Sequence, residues 1–396
     1  MVSAGCGGGA FSLFVKPLEG DLGWNRTEIM AAFTLFFFII GISSPFAGGL
    51  VDRYGARKVI STGSFIMVIG LVLLSQVNGL WHFYLGYVLV GVGSTANGPL
   101  ASSYLVSHWF RKRRGMAIGI VSMGMGLSGI IFAFLVAVYL IPHLGWRNAY
   151  LVLAAITGGV AIPLSLFVVQ TKPADLGLYP DGEVLETANG DQFGKKPSTF
   201  EGVSLKFAVA TPAFWLIGVS LVLNHTHLGI LQNAFPHLSD IGFPVGIAAS
   251  AISITSIIGS LSFFFFGWLC DQIAPKYAAA MGLGSIALGI FIFTNIGPRS
   301  PVELIWLYAI IMGFGMGSWM PTMSMLTSDT FGMASYGTLF GVMSLFQNFG
   351  GGAGPLIAGY LYDSMNTYYW AFILILAMVV LAIPLVLAVR RPVHGA

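Results

Sequence analysis

The chain has 396 residues, 56% hydrophobic and 8% charged, with a formal net charge of +3. Soluble domains carry roughly 25% charged residues, so this composition excludes a string of soluble domains and points to a polytopic membrane protein. Its two cysteines, Cys6 and Cys270, stand far apart in apolar or edge contexts and suggest neither a disulfide framework nor a metal site.

The first apolar stretch runs from Met1 to Val15. At 1.5 Å per residue it reaches about 22 Å, short of a hydrocarbon core of about 30 Å. It predicts an incomplete first helix, with the start placed too far downstream, and it lacks the basic leader of a cleavable signal peptide. Runs near 20 residues then predict spans at 29–51, 60–79, 82–109, 116–141 and 148–170. A polar segment follows at 171–206, and further spans at 213–238, 245–269, 278–297, 304–327, 337–361 and 366–389. Counting the short first one, there are twelve. Of the 18 Lys and Arg, 14 fall on 52–58, 111–114, 171–206, 270–277 and the tail from Arg390. The positive-inside rule makes that side cytoplasmic.

The two halves repeat. Gly91, Gly93, Pro99, Gly115, Gly119, Gly129 and Ala149 recur 222 positions later as Gly313, Gly315, Pro321, Gly337, Gly341, Gly351 and Ala371. One shared offset argues for a duplicated six-helix unit. The organisation predicted is a six-helix bundle at 1–170, a cytoplasmic linker at 171–206 and a second six-helix bundle at 207–396. Two parallel six-helix repeats are a transporter architecture, with the binding site between them near the midplane.

After span two comes GGLVDRYGARKV, Gly48 to Val59, and after span eight the weaker GWLCDQIAPK, Gly267 to Lys276. Gly48 and Gly55 permit close approach and a tight turn. Asp52 can sit against a helix N-terminus or a basic partner, a contact that forms in one state and breaks in another. The candidate gating residues are Asp52, Arg53, Gly55 and Arg57, with Asp271 in the second copy, where Gln272 and Ala274 replace the arginine and glycine. The plainer reading is a positive-inside loop.

The first loop resembles the loop signature of the major facilitator superfamily. KPLEGDLGWNRTE (16–28), SHWFRKRRGMAIGIVSMGMGLSG (107–129) and GWRNAYLVLA (145–154) resemble its monocarboxylate-porter and oxalate/formate-exchanger branch. The resemblance implies an all-α, twelve-transmembrane-helix fold of two pseudo-symmetric bundles. It also implies a loop at Asp52 that stabilises an outward-open state, and a cavity lined by spans one, four, seven and ten.

Some motifs mislead. GMGLSG (124–129) matches a nucleotide-binding pattern but lies inside an apolar span, where small residues serve helix packing, as at Gly115/Gly119 and Gly350/Gly354. Asn25-Arg26-Thr27 and Asn224-His225-Thr226 fit a glycosylation pattern, the second inside a span. RKRR (111–114) is a juxtamembrane topology signal, so no nucleic acid is expected. No nucleophile–base–orienter set or metal cluster appears. The chain is not read as an enzyme, and no cofactor is expected.

No charged side chain falls well inside a span. Span eight, VGIAASAISITSIIGSLSFFFFGWL, lacks the arginine that the resemblance would place there, and the carboxylate that often serves proton coupling is absent too. Neutral polar groups remain. Asn97, Ala101, Tyr104 and His108 share one face of span four. Trp319 stands at the repeat position of Asn97, beside Ser318 and Thr322. Gln347 and Asn348 fit helix packing.

Span seven contains LVLNHTHLGILQNAF, Leu221 to Phe235. On a straight helix His225 and His227 lie about 160° apart. Both cannot reach one ligand unless the helix unwinds, which Gly229 permits. Histidine donates to a carboxylate when neutral and pairs with it when protonated. The candidate substrate-binding residues are His225, His227, Asn224, Asn97, Tyr104 and Trp319, with His227 beside Asn224 favoured. The competing account of each is a hydrogen bond between helices.

The function expected is a secondary transporter of a small, monocarboxylate-like organic acid working by alternating access. It is placed in a prokaryotic cytoplasmic membrane and works as a monomer, with substrate, bilayer and a coupling proton as partners. The alternatives are an exporter of an uncharged or lipophilic compound, and a non-transporting membrane sensor.

Overall fold

Inside a bilayer each backbone N–H and C=O must be satisfied within its own segment, so spanning segments are helical. The computed structural model describes residues 11–24, 26–173, 180–182, 202–365 and 367–390, and among them the secondary structure is helical apart from isolated bridges and turns. Cys6, Asn25 and most of the polar segment between the halves lie outside the described residues.

The first half runs α1 Phe11–Leu22, α2 Arg26–Tyr54, α3 Ala56–Ser75, α4 Leu80–Asn97, α5 Pro99–Trp109, α6 Arg114–Phe134 and α7 Ile141–Ile156. A π-helical turn at Leu135–Leu140 joins α6 to α7, and two more follow α7. The second half runs α8 Leu205–Val209, α9 Pro212–His225, α10 Leu228–Asp240, α11 Val245–Gln272, α12 Pro275–Thr294, α13 Val302–Met316, α14 Trp319–Phe331, α15 Tyr336–Met365 and α16 Tyr369–Leu387. Eight stretches among the described residues are individually long and apolar enough to cross a membrane.

Three spans expected to be continuous are broken. Span four breaks at Gly98, where Pro99 removes a backbone donor and forces the preceding residue out of helical geometry. Span seven breaks at Thr226–His227, and span ten at Gly317–Ser318. Hydropathy does not register these breaks, since one turn changes direction without changing composition. Spans five and six turn into each other at Gly145, whose φ of 76° suits glycine.

Each half has its own aromatic core. In the first, Phe14 stacks on Tyr150 at 4.0 Å between ring centroids, and the Tyr150 hydroxyl lies 3.0 Å from that of Tyr87. In the second, Phe293 stacks on Tyr308 at 4.3 Å. The halves meet along two repeat-related seams, α2 against α15 and α6 against α11.

Candidate functional site

Both seams are tied at the basic end of the bundle. At the end of α2, Asp52 accepts hydrogen bonds from Gly337 N–H (2.9 Å), Thr338 N–H (2.7 Å) and Thr338 Oγ1 (2.6 Å) at the start of α15. At the end of α11, Asp271 accepts from Gly115 N–H and Met116 N–H, both at 2.7 Å, at the start of α6. Each carboxylate meets the unsatisfied donors and positive end of a helix from the other half. The repeated glycines make room for it. A Cβ on Gly337 would lie 2.7 Å from Asp52 Oδ1, and one on Gly115 would lie 2.8 Å from Asp271 Oδ1.

The other motif residues work within the first half. Arg57 donates from Nη1 to Gln170 Oε1 at 3.4 Å and from Nη2 to the Leu166 carbonyl, joining α3 to the end of span six. Arg53 lies over the Tyr54 ring at 5.1 Å. Gly55 turns the chain at φ 84°. In the second copy Gln272 and Ala274 leave the Asp271 geometry intact.

Three seam residues escaped the sequence reading. Arg114 pairs with Asp329 across the halves at 3.2 Å. Tyr336, at the repeat position of Arg114, is fully buried, with its hydroxyl 2.5 Å from Ser324 Oγ. The 222-residue offset could have flagged Tyr336; nothing in the sequence pairs Arg114 with Asp329. Tyr104 belongs to this seam too, stacked on His108 at 4.1 Å and 6.5 Å from the Tyr336 ring. Asn97, at the end of α4, accepts from Ser64 of α3 at 3.1 Å.

The break in span seven falls within NHTH, half-way along the span. His227 N–H turns back to Asn224 C=O (3.2 Å) and Gly229 N–H to Thr226 C=O (2.9 Å), a tight turn between α9 and α10. The turn brings the His225 and His227 rings to 5.8 Å instead of setting them on opposite faces. Trp319, opening α14 at the break in span ten, stands edge-on to His225 at 5.8 Å.

Both imidazoles are buried and tied to their own backbone. His225 Nδ1 lies 3.2 Å from Leu221 O, and His227 Nδ1 lies 2.5 Å from Asn224 O. A carbonyl only accepts, so Nδ1 carries the proton and Nε2 of the neutral ring is left as an acceptor. Asn224 lines a separate space that neither histidine lines. This is a cavity of about 30 Å³ shared with Ser220, Ser318, Trp319 and Thr322, and the Asn224 Oδ1 is buried without a hydrogen-bond partner among the described residues. That volume suits water and no larger solute.

Gly229 serves a different purpose from local flexibility. It is helical and packs on α15, where a Cβ would lie 2.6 Å from the Gly354 carbonyl carbon. The glycines at 229 and 354 let two backbones touch beside the break.

The geometry thus collects His225, His227 and Trp319 at two helix breaks, with Asn224 alongside. Asn97 is tied to α3, and Tyr104 belongs to the basic-end seam.

A family model described as Major Facilitator Superfamily matches residues 1–355 and 300–396. The oxalate:formate antiporter of Oxalobacter formigenes is 25% identical over 356 residues, covering 88% of this chain and 80% of the antiporter. Monocarboxylate transporter 13 of Bos taurus is 25% identical over 339 residues, covering 83% of this chain and 72% of the relative. Among solved structures, the proton:xylose symporter XylE bound to 6-bromo-6-deoxy-D-glucose superposes with a TM-score of 0.75 at 17% identity, over 98% of this chain and 94% of that one.

Proposed function

The chain belongs to the Major Facilitator Superfamily, and from that premise we propose that this multi-pass membrane transporter carries a small organic acid seated against His225 and His227. The observation that carries the proposal is the helix break at Thr226–His227, which brings two imidazoles together where the family fold places substrate. No Lys, Arg, Asp or Glu stands in this stretch of span seven to meet a charged solute. Relatives named for oxalate, formate and monocarboxylates support the same substrate class.

The tautomer decides the chemistry. With both Nδ1–H groups committed to backbone carbonyls, each Nε2 offers a lone pair. A carboxylate repels that lone pair. It binds once a proton is shared between them, either as a carboxylic acid donating O–H to Nε2 or as a carboxylate paired with an imidazolium. Substrate and proton therefore enter the site together, which supports symport; exchange of one acid for another uses the same site without net proton movement. Trp319, edge-on to His225, supplies an apolar wall to the pair.

The two halves, 1–170 and 207–396, rock about this site on the linker at 171–206. The clamps at Asp52 and Asp271 hold the basic end, read as cytoplasmic, in its closed state.

The test is uptake into proteoliposomes of labelled formate, oxalate and longer monocarboxylates, with and without an inward proton gradient. Saturable uptake of at least one acid, lost in the His225→Gln/His227→Gln double variant, is expected. Wild-type uptake and pH dependence in that double variant would overturn the proposal.

A further inference from the structure

The outer face of the first half carries a groove between α2, α3 and α4, with a volume of about 390 Å³. Ser43, Phe46, Ala47, Leu50 and Tyr54 form its α2 wall, Val59, Gly63 and Ile66 its α3 wall, and Val92 and Ala96 its floor. Phe46 is 71% exposed on this face, while the opposite face of α2 is taken by α15. The groove therefore opens to the hydrocarbon of the bilayer. From Ser43 to Tyr54 it follows eleven helical steps, about 16 Å, close to the depth of one leaflet at about 15 Å. It ends at Lys58, on the basic end of the bundle, beside the Arg53–Tyr54 cation–π pair.

The second half provides a built-in comparison. Along this stretch the repeat offset is 219 for α2 and α3 and 222 for α4, so Ala47, Lys58 and Val92 correspond to Phe266, Tyr277 and Phe314. The Phe266 and Phe314 rings pack 5.1 Å apart at the positions where the first half has Ala47 and Val92. The crevice beside them, about 510 Å³ between α11, α12 and α13, is lined by Ile258, Leu261, Phe265, Ser285, Leu288 and Phe314; along α11 it stops at Phe265, short of the basic end. Among the described residues, only the first half therefore joins an apolar channel of leaflet depth to a cation at the headgroup level.

We propose that this groove is a binding site for one anionic phospholipid of the cytoplasmic leaflet, an acyl chain lying along Ala47 and Val92 and the phosphate meeting Lys58. Lys58 makes no ion pair among the described residues, and its position at the end of an apolar channel matches a phosphodiester at the end of an acyl chain. A basic residue near an anionic lipid surface is worth about fivefold in occupancy. The bound lipid bridges α2 to α3 next to Asp52, which places it beside the basic-end clamp without touching the substrate site.

The experiment is native mass spectrometry of the purified full chain equilibrated with an equimolar mixture of phosphatidylglycerol and phosphatidylcholine. Wild type is expected to retain one phosphatidylglycerol with about fivefold preference over phosphatidylcholine. Lys58→Tyr, the residue of the other repeat, keeps a retained lipid and loses the preference. Ala47→Phe, again the repeat residue, loses the retained lipid of either kind. Val92→Phe fills the same floor from α4 and carries the test if Ala47→Phe does not fold. Retention without headgroup preference in wild type, or wild-type retention in folded Ala47→Phe and Val92→Phe, would overturn the proposal.

Discussion

Neutralising Asp52 should loosen the closed basic end by an amount the geometry sets. In Asp52→Asn the shape is kept, but the carboxylate's three hydrogen bonds, at 2.6 to 2.9 Å, cannot all survive. One amide oxygen still accepts, while the amide nitrogen now faces donors. Hydrogen bonds to a charged group contribute about 1.5–3 kcal/mol each, and charge at a helix N-terminus about 0.3–1 kcal/mol. The opened carboxylate regains water, so the net effect on the gate is about 2 kcal/mol, a factor of about 30 in the closed-to-open ratio. Asp271→Asn acts on the same equilibrium through a separate pair of bonds and adds a similar amount. The double variant should shift the ratio by about 900. Thr338→Val removes one of the three bonds and should shift it about fivefold. Spin labels at the exposed positions Arg111 and Tyr277, one in each half, read the opening as a distance distribution by pulsed electron resonance. A longer distance should grow from Thr338→Val to Asp52→Asn to the double variant, with turnover falling more than substrate binding. An unchanged distribution in a folded double variant would mean that the carboxylates are topology signals and that apolar packing alone closes the seam.

The single histidine variants separate binding from packing. His225→Gln or His227→Gln, whichever ring takes the shared proton, should retain some exchange and flatten the dependence of uptake on pH, measured as counterflow across a pH series. The other should lower thermal stability without moving the pH profile. Gly354→Val should lower the unfolding temperature and abolish uptake, because its Cβ would lie 2.9 Å from the Thr226 carbonyl carbon; Gly352→Ala, two residues earlier in open space, should behave as wild type in the same melts. Arg114→Met removes the pairing with Asp329, a residue about a third exposed. Its effect on the same spin-label distribution should stay within about 1 kcal/mol, well below that of Asp52→Asn.

By itself the sequence determined the medium, the span pattern and the duplication, because each rests on properties that are additive along the chain. Apolar runs of bilayer length need no partner to be recognised, and a repeat is a comparison of the chain with itself. The carboxylates at 52 and 271 were legible for the same reason: a motif and its copy marked them before any contact was known. Tertiary structure alone decided what those residues touch. Which helix N-terminus receives Asp52 depends on the packing of α2 against α15, 285 residues apart at the closing bond. The three broken helices show the same limit. Gly98-Pro99 announces its break locally, but the turn at Thr226 depends on α15 lying close enough that only Gly229 and Gly354 fit between them. A regular helix would have set His225 and His227 on opposite faces. The structure puts their rings 5.8 Å apart, because helical periodicity holds only while the helix continues, and the packing of a neighbouring helix decides where it stops.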